Sequence, residues 1–210
     1  RLRQSILGYY RQAGDRLLTV ASFPCKTKAA EKIMRLELER DMRRFPPTRA
    51  FLEVDQPHEL YRRKLRVILW RLDQTIAGAA GGYPDAGEFA RDLEFMECSL
   101  AKHPSPRVAR VGPGRLRVAT QVFGFHGASL DFRQHASVTR AAADELLRAA
   151  RLTPHSAGER VLAVKKLMSR PPLRVRSCAA TQRAIDEFRA QKKIQQLYGE
   201  VAAPRYILSM

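Results

Sequence analysis

Hydrophobic residues recur every three or four positions along most of this chain, which is the spacing of one face of an α-helix. The recurrence predicts seven helices, and it is clearest where Tyr61, Leu65 and Leu72 follow one another in the longest of them. The predicted helices cover residues 6–20, 30–45, 61–76, 89–100, 138–149, 156–168 and 185–199. The protein is therefore predicted to be mainly helical.

Local signals mark several of the helix ends. Gly78 and the glycine pair that follows it end the third helix, because glycine adopts the left-handed conformation that closes many helices. Ser156 and Glu159 form a capping box that begins the sixth helix. The Gly-Pro-Gly sequence at 112–114 predicts a turn.

Two short stretches break the helical period. In residues 124–132, Leu130 and Phe132 alternate with polar residues, and residues 205–210 form a compact apolar run. Both patterns predict strands. The segments between them are long enough to serve as crossovers, so the strands are predicted to share a parallel sheet. Two strands cannot form an independent sheet domain, so we expect further strands from outside this sequence.

The predicted fold class is mainly α with a few short parallel strands. Residues 1–122 are expected to be mostly helical, and residues 123–210 to run strand, helices, strand. The chain begins without an initiator Met or an apolar signal core, and it stops on an apolar run. We therefore expect a single segment of a larger domain.

The charge of the chain raises the question of a polyanionic partner. The formal net charge is +17, whereas the hydrophobic content of 45% is ordinary for a folded protein. Clustered cations favour nucleic-acid binding. In residues 36–44 and 180–193, however, arginines alternate with acidic residues, as on the solvated surface of a helix that carries ion pairs. The charge alone thus supports a basic helical nucleic-acid-binding module, and no recognisable binding motif accompanies it.

The cysteines give no sign of a metal site or a disulfide framework. Cys25, Cys98 and Cys178 are far apart and odd in number, and the five histidines are scattered. This pattern predicts free thiols in a reduced, cytoplasmic setting. The chain also has no apolar stretch long enough to predict a membrane span.

One arginine is a candidate ligand for an anion. Arg133 follows the first predicted strand directly, and side chains at that end of parallel strands often surround ligands. A guanidinium group can give two charge-assisted hydrogen bonds to a phosphate or carboxylate. Asp131 would face the same side of an extended chain and could hold the guanidinium in place. On residue type alone, a purely structural salt bridge is the favoured interpretation, because Asp-x-Arg pairs at strand ends are common.

Four stretches in the same order resemble the phosphoenolpyruvate carboxylase family. In residues 123–134, Phe-Gly and Leu-Asp-Phe-Arg-Gln match the family's Phe-Gly…Leu-Asp-(Ile/Val)-Arg-Gln sequence. Residues 59–72 are similar to its Glu-Pro-Tyr-Arg…Leu-x-x-Arg-Leu helix, with Leu60 in place of the proline. Residues 167–173 resemble its Leu-x-Ser-x-Arg-Pro-Leu turn, and residues 206–210 its Tyr-(Ile/Val)-Ile-Ser-Met strand.

The resemblance implies a fold and an activity. Such enzymes carboxylate phosphoenolpyruvate with bicarbonate to give oxaloacetate and phosphate, with Mg²⁺ or Mn²⁺, in the cytoplasm. Their fold is a helix-rich (β/α)₈ barrel, usually assembled as a homotetramer. Arg133 matches the arginine that binds the substrate phosphate, and Asp131 and Gln134 lie in register beside it as supporting residues. The metal ligands are expected outside these 210 residues.

The departures from the family pattern keep other interpretations open. His135 and Ala136 stand where the family typically has Glu and Ser, and no Thr-Ala-His-Pro stretch with the catalytic histidine is present. This segment alone is therefore expected to be inactive. A carboxylase-like homologue that lost its chemistry and serves as a scaffold or regulator is the alternative within the family.

Two histidines lie close to Arg133 in sequence. His135 is either a proton carrier or phosphate ligand, or a capping or surface residue at the start of a helix. His126 lies inside the first predicted strand, so we expect it to be a hydrogen-bonded histidine of the core.

Overall fold

The computed structural model describes residues 1–22, 24–101, 107–169 and 176–210, and it divides into two compact units. The first unit is Arg1–Ala128 and the second is Ser129–Met210. The helices of the first unit are α1 (Leu2–Val20), α2 (Lys28–Arg44), α3 (Arg49–Leu52), α4 (Leu60–Ala77), α5 (Ala86–Ala101), α6 (Arg107–Ala109) and α7 (Arg115–Phe123). The second unit contains β1 (Asp131–His135), α8 (Ala136–Ala149), α9 (Ala157–Met168), α10 (Ala179–Tyr198) and β2 (Arg205–Ser209). The prediction of a mainly helical chain with two short parallel strands is confirmed.

The core of the first unit is built around α4. Its apolar stripe, which includes Leu65, Ile68 and Leu72, is buried, and α1 and α2 both pack on this helix. Helix α5 buries every residue of its predicted stripe: Phe89, Leu93, Met96 and Leu100. No helix within the described ranges combines the length and apolar character that a membrane crossing needs.

The buried face of α4 also carries two cations. Lys64 is fully buried, and its Nζ lies 2.8 Å from Asp41 Oδ2 and 3.2 Å from Asp92 Oδ1. Arg71, one heptad later on the same face, bonds Glu88 at 2.7 Å and Asp92 at 3.1 Å. Burial alone would lower the pKa of Lys64, but the surrounding carboxylates outweigh that effect and raise it. The first unit thus contains a charged cluster next to its apolar core, with α4 contributing the cations and α2 and α5 the carboxylates.

The region before α7 differs from its prediction. The predicted turn at 112–114 is a π-helical segment, Arg110–Gly114, in which Gly112 departs from helical geometry with φ −85° and ψ −108°. It leads directly into α7, a helix that the hydrophobic pattern did not predict. The buried positions of α7 are Leu116 and Thr120. Because only one of these two residues is apolar, the helix has no apolar stripe that the sequence pattern could reveal.

The chain between α4 and α5 turns back tightly against α4. Gly78 ends the helix with a left-handed φ of 67°, as predicted, and the hydroxyl of Thr75 accepts a bond of 2.7 Å from the Tyr83 amide. A Cβ on Gly82 would lie 2.8 Å from the backbone nitrogen of Thr75. This loop therefore requires glycine at position 82 for lack of space.

Gly82→Ala is expected to lower the free energy of unfolding by about 1–3 kcal/mol, because the backbone of α4 must shift to admit the methyl group. The fluorescence of Trp70, the single tryptophan of the chain, reports the urea unfolding of this unit. Gly8→Ala is the matched control, since nothing lies within 4 Å of its Cβ. That helical substitution should stabilise the protein by about 0.5–1 kcal/mol. Equal effects of the two changes would contradict the steric explanation.

The second unit is a strand–helices–strand unit. Strands β1 and β2 pair in parallel, with Arg133 opposite Ile207 in the register. Ser156 caps α9 by accepting a bond from the Glu159 amide, as the capping box predicts. The prolines predicted to follow α9, in the stretch 170–173, lie outside the described residues.

The start of α10 is held by a carboxylate from α8. Glu145 accepts a 2.7 Å bond from the Cys178 amide and a 2.6 Å bond from the Thr181 hydroxyl. Hydrogen bonds from Cys178 and Thr181 lower the pKa of Glu145 from its ordinary 4.5 to about 2. The carboxylate thus ties two helices of this unit together in its ionised form.

A depressed carboxyl pKa makes stability depend on pH in a defined window. The contribution of Glu145 is complete above about pH 4.5 and is lost as the pH falls towards 2. We expect the stability advantage of the wild type over Glu145→Gln to shrink between pH 5 and pH 3, as measured by urea unfolding followed by circular dichroism. The exposed Glu39→Gln serves as control. Parallel pH profiles of wild type and Glu145→Gln would refute the assigned role.

Candidate functional site

The structure places Arg133 in the middle of β1. The strand was predicted within residues 124–132, with Arg133 just after it; this boundary is wrong, because β1 spans Asp131–His135. Gly124 and Gly127 have φ of 52° and 79°, so the backbone before Leu130 turns instead of extending. The alternation that begins at Leu130 continues through His135, after which α8 starts at once.

The two faces of β1 have different surroundings. Phe132 and Gln134 are half-buried on one face, whereas Asp131, Arg133 and His135 are exposed on the other. Phe132 lies parallel to the Tyr206 ring of β2 at 6.4 Å, and Tyr206 stacks on Phe188 of α10 at 4.3 Å. The face that carries Phe132 therefore packs on α10, and the face that carries Arg133 is left open within this unit.

Gln134 fastens the strand to α10. Its Nε2 donates to both carboxylate oxygens of Glu187, at 3.1 and 3.3 Å, and the Tyr206 hydroxyl donates to the same carboxylate at 2.9 Å. Burial first, and then the hydrogen bond to Glu187 and the charge of that carboxylate, raise the pKa of Tyr206 to about 12. Gln134 thus points away from Arg133 and positions the strand rather than the guanidinium.

Asp131 shares the open face with Arg133 but forms no ion pair with it. Within the described part of the chain, no ion pair or side-chain hydrogen bond engages the guanidinium of Arg133, from Asp131 or from any other residue. The predicted interaction, in which Asp131 holds the guanidinium of Arg133 in place, is therefore not formed in this structure. The register also places Arg205 beside Asp131 on this face. Arg205 is not among the predicted site residues, although its position at the start of the second predicted strand could have indicated it.

The two histidines near Arg133 have different positions. His135 caps α8: its Nδ1 accepts a 3.2 Å bond from the Ser137 amide and lies 2.6 Å from the Ser137 hydroxyl. His126 lies in the turn after α7, not in a strand, because its neighbour Gly127 has a left-handed φ. Partial burial lowers the pKa of His126. The predicted strand position of His126 is therefore wrong, and a capping role for His135 is confirmed.

The open face of β1 offers cations to a ligand, not a metal site. Over the four described ranges, no group of three or more His, Cys, Asp or Glu side chains is placed to hold a metal ion. An exposed guanidinium without a carboxylate partner can receive an anion through two N–H donors at once. The arrangement is therefore suited to hold a phosphate or carboxylate group.

Comparisons with known proteins connect this geometry to a family. The family model described as phosphoenolpyruvate carboxylase matches residues 1–210. A phosphoenolpyruvate carboxylase of Nitrosomonas eutropha is 36% identical over 138 residues, which are 61% of this chain and 15% of that protein. Those of Rhodothermus marinus and Rhodopseudomonas palustris are 35% and 33% identical over 73% of this chain. The matched stretch covers 18% of each of these two relatives, so the chain spans less than a fifth of their length.

Proposed function

The chain belongs to the phosphoenolpyruvate carboxylase family, and from that premise we propose that it is a segment of an enzyme that carboxylates phosphoenolpyruvate with bicarbonate to oxaloacetate and phosphate. In this proposal Arg133 binds the phosphate of the substrate. The supporting relatives bear the name of that enzyme, and about a third of the matched positions are identical in them. The remaining machinery of the reaction is assigned to sequence outside these residues.

The observation that carries the proposal is the free guanidinium of Arg133. It is exposed on the open face of β1, and no described carboxylate neutralises it. A cation that is already paired would have to release its partner before binding an anion, whereas no described residue forms such a pair with Arg133. On the opposite face of β1, Gln134 donates hydrogen bonds to Glu187 of α10, and these bonds connect the strand that carries Arg133 to that helix.

The chemistry assigned to Arg133 is electrostatic. Transfer of a phosphoryl group to bicarbonate builds negative charge on the phosphate oxygens, and a fixed cationic donor stabilises that charge. The planar guanidinium also orients the phosphate, since two parallel hydrogen bonds permit few geometries. Arg133 would thus both bind and align the substrate.

The proposed setting for this site is a (β/α)₈ barrel. Strands β1 and β2 pair only with each other among the described residues, and two parallel strands need further strands beside them. In such a barrel the open face of β1 would look into the interior, where side chains at the strand ends meet the substrate. A homotetramer in the cytoplasm belongs to the same proposal.

The metal of the proposed enzyme would be bound by other residues. Mg²⁺ or Mn²⁺ would supply positive charge against the substrate oxygens. The described residues offer no cluster that fits such an ion. In this proposal Arg133 binds the phosphate through its own positive charge, and the metal ion is bound by residues outside the described ones.

Activity of the complete enzyme tests this proposal. We expect oxaloacetate formation that requires both phosphoenolpyruvate and bicarbonate, followed by coupling to malate dehydrogenase and NADH oxidation. A correctly folded but inactive complete protein would favour the scaffold or regulator instead. Binding to DNA that weakens steeply with salt would favour the nucleic-acid module suggested by the net charge of +17.

A further inference from the structure

His135 shares a strand face with Arg133. It is the last residue of β1, two positions after Arg133, and both side chains are exposed on the open face. Alternate residues of a strand lie about 6.6 Å apart, and both side chains are long enough to meet one phosphate group from that spacing. The position of His135 is also nearer to the carboxyl end of the strand, where ligands of parallel sheets bind.

The cap that His135 makes determines which ring nitrogen is free. Nδ1 accepts a hydrogen bond of 3.2 Å from the Ser137 amide, so it carries no proton in that contact. The proton of the neutral ring is therefore on Nε2. Since Nδ1 is also 2.6 Å from the Ser137 hydroxyl, the ring is held from one side with Nε2–H as a donor on the other.

Charge near His135 favours an anion over a cation. No described carboxylate is bonded to the imidazole, and the first turn of α8 contains no acidic residue. The acidic residue that shares its strand face is Asp131, at the opposite end of β1. Among the residues that the structure describes, the Nε2–H donor thus has no acceptor, and no carboxylate bonded to the ring competes with a ligand.

We propose that His135 is a second substrate-positioning residue, whose Nε2–H donates to the phosphate that Arg133 holds. This inference rests on the proposed function. Arg133 supplies the charge, and His135 fixes the rotation of the phosphate about the guanidinium. Its loss should therefore weaken substrate binding more than it slows turnover.

Two substitutions in the complete enzyme separate this role from capping. His135→Asn keeps an acceptor for the Ser137 amide, since asparagine is a good helix cap. The shorter side chain, however, has no donor at the position of the imidazole Nε2–H. His135→Gln keeps an N–H donor at about the reach of Nε2 and gives up the cap. We expect His135→Asn to raise the KM for phosphoenolpyruvate about tenfold at nearly unchanged kcat, and His135→Gln to keep the KM within about twofold.

The dissociation constant of phosphoenolpyruvate, measured by calorimetry on the metal-free complete enzyme, should follow the same order. A normal KM and Kd for His135→Asn, or equal losses in both variants, would overturn the inference and leave His135 as a helix cap. A wild type without turnover would defeat the proposed function instead, and the order of the Kd values would still decide the role of His135. Ser137→Ala, which removes the hydroxyl beside Nδ1, controls for the ring orientation.

Discussion

Arg133→Lys in the complete enzyme is expected to lower kcat/KM for phosphoenolpyruvate about 100-fold, and Arg133→Ala about 1,000-fold. Lysine retains the charge but replaces a planar fork by a single ammonium group, so one of the two parallel bonds to the phosphate is lost. Alanine removes the charge as well. The assay is oxaloacetate formation at saturating bicarbonate with varied phosphoenolpyruvate.

The fold should not change in these variants. The guanidinium of Arg133 is exposed and makes no ion pair among the described residues, so its removal breaks no ion pair that the structure describes. Arg183→Lys on α10 is the matched control, because Arg183 is exposed and its replacement leaves β1 intact. Full activity of Arg133→Lys would remove Arg133 from the site, and a lowered melting temperature would assign it a structural role.

Lys64→Met should destabilise the first unit by about 3–5 kcal/mol. Methionine has a similar length, so the loss arises from the charge and not from a cavity. It leaves the buried Asp41 and the half-buried Asp92 without the ammonium group that lies 2.8 and 3.2 Å from them. Urea unfolding followed by the fluorescence of Trp70 measures the change.

The pH dependence of this variant distinguishes a charge effect from a packing effect. Burial already raises the pKa of Asp41 in the presence of Lys64, and without the cation its folded pKa should rise further. A raised carboxyl pKa adds stability as the pH falls, so the deficit of Lys64→Met should shrink from pH 7 towards about pH 4. A deficit that is constant over this range would indicate packing alone. Arg40→Met, which removes an exposed cation paired with the half-buried Glu37, should cost under about 1 kcal/mol.

Helices α1, α2, α4 and α5 could be predicted because each buries residues of a regular apolar stripe. Helix α5 shows this most clearly, since the spacing of Phe89, Leu93, Met96 and Leu100 leaves no other face to bury. The parallel pairing of the two strands followed from their separation by crossover helices. These features depend on short-range patterns, which the sequence carries directly.

Features that depend on distant partners could not be predicted. Lys64 and Arg71 look like ordinary surface residues in sequence, although they lie on the apolar stripe of α4. Only the packing of α2 and α5 supplies the carboxylates that make their burial possible. In the candidate site, the pattern predicted Arg133 near a strand end, but which face of β1 stays open is decided by Tyr206 and Phe188.

The most direct measurement is a crystal structure of the complete enzyme, without metal, bound to phosphoenolpyruvate. Two guanidinium nitrogens of Arg133 should lie about 2.7–2.9 Å from oxygens of the substrate phosphate, on the face of β1 opposite Gln134. A substrate bound elsewhere, with the Arg133 side chain directed away from every phosphate oxygen, would contradict the assignment of this arginine.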